Sequence, residues 1–110
     1  QLAKELQLDG IIATNTTIDK SKLGQHPLAQ EAGGLSGAPV REASNRVLAA
    51  LVRELDGKIP VIGVGGILSG SHAAEKLRLG ATAVQIYSGM VYRGTGLIKE
   101  CLLSCFYVKK

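Results

Sequence analysis

Short β-branched runs alternating with amphipathic helical patterns predict an α/β fold with a parallel sheet. Three observations carry that prediction. Ile11-Ile12-Ala13-Thr14, Pro60-Val61-Ile62-Gly63-Val64 and Ala83-Val84-Gln85-Ile86-Tyr87 are apolar runs of strand length. Helical patterns stand between successive runs, as right-handed crossovers between parallel strands require. Each run ends in a polar or glycine cluster: Asn15-Thr16-Thr17, Gly65-Gly66 and Ser88-Gly89.

Composition narrows the function classes. At 110 residues the chain allows one small domain at most, and 45% apolar with 20% charged residues is ordinary for a globular chain. No apolar run approaches the roughly 20 residues of a membrane span. Gln1-Leu2-Ala3-Lys4-Glu5 resembles neither a signal peptide nor an initiator methionine, so residues 1–110 are expected to be part of a longer protein. The net charge of +4 comes from scattered Lys and Arg whose only run is Lys109-Lys110, and with no Trp there is no aromatic and basic stripe for nucleic acid. Cys101 and Cys105, one helical turn apart in an apolar segment, are expected to be buried, reduced thiols. A metal site would want more ligands. His26 and His72, in loop and helix-start contexts, are expected at the solvated surface.

The elements follow in order. Leu2, Leu6 and Leu8 among polar residues fit the last turns of a helix stopped by Asp9-Gly10, and the first strand follows at once. From Ile18 to Pro39 runs a loop of about 22 residues without a period, a length that in compact domains points to function. It closes on Gly33-Gly34-Leu35-Ser36-Gly37, small residues suited to backbone that approaches a ligand. Val40, Val47, Leu48, Leu51, Val52 and Leu55 recur at three and four residue spacing, predicting a helix that covers a sheet and stops at Asp56-Gly57. The run Val61 to Val64 suits a strand buried on both faces. Ser69 or Ser71 then caps a helix to about Leu79, and Gly80 ends it. In the third strand, Val84 and Ile86 share one face and Gln85 and Tyr87 the other, and a last helix spans about Leu97 to Val108.

Two parallel architectures compete. A dinucleotide-binding sheet carries Gly-x-Gly-x-x-Gly after a strand and an acidic residue about 20 positions on. Gly63-Val64-Gly65-Gly66 has the wrong spacing, and Glu75 falls within the next helix. In a (β/α)8 TIM barrel, ligands sit at the C-terminal ends of the strands and phosphate between the loops of the last two. All three clusters lie at strand C-termini, so the chain reads as the C-terminal three βα units of such a barrel.

On that reading Gly65-Gly66 and Tyr87-Ser88-Gly89 close on one point, since adjacent parallel strands end about 4.8 Å apart. Their uncovered N–H groups, the Ser88 hydroxyl and the N-terminus of the helix near Ser71 make a phosphate cradle, a reading favoured over packing glycines. For Thr14, Asn15 and Thr16 two readings stay open. Asn can read a planar amide edge with Thr adding a hydroxyl, or the triplet is an Asx turn leaving a strand. No residue is an evident acid, base or nucleophile: Asp19, Glu31 and Glu42 lack paired spacing and Ser36 lacks a nucleophile elbow.

With these residues in view, the chain closely resembles the C-terminal part of the quinone-dependent (class 2) dihydroorotate dehydrogenases. The resemblance rests on Ala13-Thr14-Asn15-Thr16-Thr17, Gly33-Gly34-Leu35-Ser36-Gly37, Pro60 to Ile67 and Val84-Gln85-Ile86-Tyr87-Ser88-Gly89, over about residues 9–100. It implies an FMN-containing barrel that oxidises dihydroorotate to orotate in pyrimidine biosynthesis and passes electrons to a quinone. Carried over by motif, Asn15 and Thr16 would bind the orotate ring and Thr14 would lie against the flavin. Ser36 and Gly37 would touch FMN, while Gly65, Gly66, Tyr87 and Ser88 would hold its phosphate end. The family's Ser base, its flavin-contacting Lys and its N-terminal membrane-associating helices have no counterpart in these residues. By resemblance the protein is peripheral on the bacterial cytoplasmic or mitochondrial inner membrane through that N-terminal segment alone. The chain departs from the family pattern at Thr95-Gly96, where Pro-Pro is usual after Tyr92-Arg93-Gly94, and from Ser104 to Lys110.

Overall fold

The computed structural model describes residues 1–109, so the Lys109-Lys110 run extends beyond the described residues. Three strands, β1 (Ile11–Ala13), β2 (Val61–Val64) and β3 (Ala83–Gln85), form one parallel sheet in that order. Ile11 pairs with Val61, and Ile62 with Ala83, so each strand lies beside the next in sequence. The α-helices are α1 (Leu2–Glu5), α2 (Arg41–Leu55), α3 (Gly70–Arg78), α4 (Ser88–Arg93) and α5 (Gly96–Lys109), with short 3-10 turns at Ser21–Leu23 and Ala38–Val40.

The apolar period set out above forms α2, which buries Leu48 and Leu55 against Ala13, Ile59, Val61 and Ala81. Val47 belongs to the same period but falls on the exposed side. Asp56 ends the helix in the left-handed region at φ 50°, its N–H donating to the Val52 carbonyl at 3.1 Å. Of the two candidate caps for α3, Ser69 serves: its Oγ accepts from the His72 N–H at 3.3 Å. A second cluster, Ile67, Ala73, Leu97 and Cys101, joins α3 and α5 to Val84 and Ile86. Here the backbones meet closely, because a Cβ on Gly70 would stand 2.1 Å from Ser104 Oγ and 2.8 Å from the Glu100 carbonyl oxygen.

Several expectations are corrected. α1 is one turn that stops at Glu5, and the chain reverses at Gln7 (φ 52°) before Asp9-Gly10. β3 ends at Gln85, and Ser88-Gly89 open a six-residue helix that sequence periodicity did not reveal. β2 is covered on one face: Val61 and Gly63 are buried, Ile62 and Val64 half-buried. The opposite sheet face carries Ile12, Ile62 and Ala83 in register, with Ile12 61% exposed. One sheet with helices on one side makes a slab of 43 × 33 × 17 Å. The cysteines behave largely as expected: both are thiols, Cys101 buried and Cys105 half-buried. Burial pushes the Cys101 thiol up in pKa, and it donates to the Ser69 carbonyl at 3.7 Å. None of the described helices is long and apolar enough to cross a membrane.

Candidate functional site

Parallel strands bring their C-terminal ends to one side of a sheet, and here those ends open on a cleft of about 330 Å³. Thr14, Asn15 and Thr16 enter it after β1, Gly65 and Gly66 after β2, and Tyr87 and Ser88 after β3. Ser36 and Gly37 reach it from the long loop, so all nine residues singled out from the sequence line one space. The rest of the wall includes Val64, Ile67, Ile86 and Gln85, apolar except for the last. Gln85 was missed as a lining residue although strand alternation put it on the face away from Val84.

The loop reaches the cleft because its two ends pair. Thr17 and Leu35 exchange backbone hydrogen bonds of 3.0 and 2.7 Å, the only bridge outside the sheet among the described residues. Gly34 packs so tightly on Thr16 that a Cβ would stand 1.8 Å from its Oγ1. Beyond it, Gly37 turns at φ 80°, and Ser36 Oγ meets Ser88 Oγ at 2.7 Å. That hydrogen bond spans 52 residues of sequence and ties the loop to the first turn of α4.

Of the two readings left open for Asn15, the local turn is the one observed, and it leaves space for the other. Its Oδ1 accepts from the Thr16 N–H at 2.8 Å, a local turn that fixes the side chain, and the residue stays exposed on the cleft. The turn uses the carbonyl side of the amide; the Nδ2 donor is not part of it.

The glycine pair is under two constraints. Gly65 and Gly66 have φ of 124° and 71°, and a Cβ on Gly66 would lie 2.3 Å from Arg41 Cβ and 2.6 Å from its Cα. A Cβ on Gly65 would come within 2.9 Å of Ser44 Cβ. Close packing on α2 thus accounts for both glycines whatever the cleft holds. The helix expected to point at the cleft is also different: the α3 N-terminus at Ser69–Ser71 does not line it, whereas Tyr87, Ser88 and Gly89 at the start of α4 do.

Among the lining residues none carries a carboxylate, ammonium, guanidinium or imidazole. The cleft can therefore bind and orient through hydroxyls, amides and backbone, but it offers no group that changes protonation near neutral pH. His72 is a second correction, since it is half-buried rather than solvated: its Nδ1 accepts from the Leu68 N–H at 3.1 Å and its Nε2 faces Arg41. Burial, and then the Arg41 charge, lower its pKa. His26 is exposed, its Nδ1 accepting from the Leu28 N–H at 3.1 Å.

Behind the glycine pair lies a buried charge for which no sequence pattern offers a reason. Lys76, on α3, is fully buried, and its stem fills the space left by Gly63, where a Cβ would stand 2.9 Å from Lys76 Cδ. Its Nζ donates to Ser44 Oγ at 3.0 Å and Asn45 Oδ1 at 2.7 Å. Ser44 passes the contact on by donating to the Val64 carbonyl, which also accepts from the Thr14 N–H at 3.0 Å. Burial pushes the ammonium down to about 8, with Arg41 acting in the same direction and Glu75 against it.

Comparison with known proteins agrees with this architecture. The family model for dihydroorotate dehydrogenase matches residues 1–103. A dihydroorotate dehydrogenase (quinone) of Neisseria meningitidis serogroup C is 67% identical over 101 residues, covering 92% of this chain and 30% of that protein. One from Chromobacterium violaceum is 58% identical over 94 residues, 86% of this chain and 27% of its own. A crystal structure of DHODH from Eimeria tenella in complex with ferulenol superposes with a TM-score of 0.89 at 34% identity, over 97% of this chain and 28% of that one. The chain thus spans about 30% of the length of its curated relatives, and its three βα units are part of a (β/α)8 barrel. The match ends near the point where the sequence departs from the family pattern, and on this evidence the chain belongs to the dihydroorotate dehydrogenase family.

Proposed function

We propose that the full-length protein is an FMN-dependent oxidoreductase that converts dihydroorotate to orotate in pyrimidine biosynthesis, with a quinone as electron acceptor. Residues 1–110 form part of its single barrel domain and supply part of the FMN and substrate site. The observation that carries this reading is the meeting of all nine motif residues on one uncharged cleft at the strand C-termini. The curated relatives named dihydroorotate dehydrogenase (quinone) support the choice of substrate and acceptor.

The residues present fit FMN. Hydroxyls at Ser36 and Ser88, backbone at Gly65 and Gly66, and a short helix after the third strand form the kind of site barrels use for phosphate. Val64, Ile67 and Ile86 offer an apolar wall for a ring system. FMN, when bound, supplies the hydride acceptor. Thr14 would lie against it, Ser36 and Gly37 would touch it, and Gly65, Gly66, Tyr87 and Ser88 would hold its phosphate end. Asn15 and Thr16 bind and orient the amide edge of the pyrimidine, Asn15 already held by its own turn. The proton is removed by a base supplied from outside these residues. Membrane association belongs to a segment N-terminal to them.

Absorption spectroscopy on the full-length protein tests the reading. It is expected to be yellow, to bleach on adding dihydroorotate and to recover its colour with a quinone. A colourless protein removes the cofactor; a yellow one that dihydroorotate reduces no faster than buffer removes the substrate and favours another FMN barrel.

A further inference from the structure

Lys76 has no part in the site as described, and its setting calls for a reason. Burying an ammonium is costly even when it is hydrogen-bonded, and an apolar side chain of similar length would fill the space beside Gly63 without that cost. Among the described residues no carboxylate lies within ion-pair distance of it; its two hydrogen-bond partners are the neutral Ser44 and Asn45. The charge is therefore buried without an ion-pair contact among the described residues, Glu75 acting on it only from beyond that distance, and it sits directly behind the turn that closes one end of the cleft.

The route to that turn is short. Lys76 Nζ donates to Ser44 Oγ, and Ser44 donates to the carbonyl of Val64, whose peptide leads into Gly65. Ser44 is also the side chain against which Gly65 packs. The same carbonyl accepts from Thr14, so the ammonium holds the junction of β1 and β2 where both enter the cleft. Two donors on one carbonyl oppose rotation of its peptide plane and so favour one orientation of the turn that follows.

We infer that Lys76 is a positioning residue for the anionic end of the cleft: its buried ammonium, acting through Ser44, clamps the Val64–Gly65 peptide and provides the positive potential that makes the cleft prefer a phosphorylated ligand to the same ligand without phosphate. The inference rests on the FMN reading above and adds to it a source of phosphate selectivity outside the lining residues. A dianionic phosphate would add a counter-charge to an ammonium that makes no close ion pair among the described residues.

The test compares FMN with riboflavin, which carries the ring but not the phosphate, by fluorescence titration of the full-length apoprotein. Lys76→Met keeps the stem and removes the charge. It is expected to weaken FMN binding about tenfold or more while changing riboflavin affinity less than about twofold, the difference expected from losing one charge near a dianion at an effective dielectric constant near 20. Ser44→Ala cuts the relay and leaves the ammonium on Asn45 alone, and is expected to show the same bias in smaller measure, so a failure of Lys76→Met to fold leaves a second arm. Equal losses for FMN and riboflavin in the variants, or none, overturn the inference and leave the FMN reading standing. A wild-type apoprotein that binds FMN no better than riboflavin overturns the inference too, and one that binds neither overturns both.

Discussion

Val64 is where three separate constraints meet on one carbonyl: a ladder bond from Thr14, a hydroxyl from Ser44 and, through it, the charge on Lys76. The residues around it make the sharpest predictions. Gly66→Ala adds a Cβ on top of Arg41 at a φ of 71°, two penalties of different origin. It is expected to destabilise the full-length protein by on the order of 3 kcal/mol, read from the midpoint of urea unfolding. Asn15→Ala removes the amide proposed to read the pyrimidine and should raise the KM for dihydroorotate about tenfold with flavin content unchanged. Lys76 gives a pH signature. Below about pH 8 both folded and unfolded lysine are charged, so the burial penalty stands in full. Between about 8 and the ordinary 10.5 the folded lysine is neutral while the unfolded one still binds its proton, so stability rises with pH across that window. The rise, on the order of 3 kcal/mol, should be present in the wild type and missing from Lys76→Met when the two are unfolded in urea at a series of pH values. Nothing in the helical pattern of α3 announces this residue, because a lysine among alternating polar and apolar positions is assigned to solvent. Only the register of β2, which sets Gly63 beneath it, makes room for the stem.

At the level of elements, what could be read from the sequence was what repeats. α2 was legible because about four turns of apolar period outvote any single residue, and the strands were legible because β-branched runs end at glycine or polar clusters. α4 was not, since six residues hold too few turns for a period to show, and Tyr87, the residue before it, bears no capping oxygen that bonds to the helix. The choice between Ser69 and Ser71 as cap of α3 needed backbone geometry: Ser69 has the extended conformation of a cap at φ −155°, while Ser71 already lies inside the helix. Ser69→Ala is accordingly expected to lower stability by about 1 kcal/mol in thermal unfolding, and Ser71→Ala by little. The cleft was legible by the same logic at longer range. Strand ends in a parallel sheet converge, so three motifs read separately must share one side of it. The Ser36–Ser88 hydrogen bond was not legible, because the loop that delivers Ser36 has no period to extrapolate.

For the molecule as a whole, the radius of gyration of 14.7 Å exceeds the roughly 13 Å expected of a compact chain this long, as a slab should. The sheet has two outer strands, each with an unpaired edge, and a face on which Ile12 is 61% exposed. Residues 1–110 expressed alone are expected to associate and to bind FMN weakly. Sedimentation velocity would show oligomers; a monomer that retains FMN would contradict the prediction. In the intact barrel, neighbouring strands would cover the same edges and face.

The order of the sheet also bears on how the site comes into being. β2 and β3 pair across roughly 21 residues, whereas β1 and β2 pair across roughly 50, a difference in closure entropy of about 0.8 kcal/mol in favour of the shorter connection. Zippering should therefore begin at the Gly65–Ser88 end, with the strand that bears Asn15 arriving on a turn already made. A pulse-labelling experiment would see protection at Thr82, whose amide donates to the Val61 carbonyl across the β2–β3 pairing, before it appears at Thr14, whose amide must wait for the Val64 carbonyl to be in place.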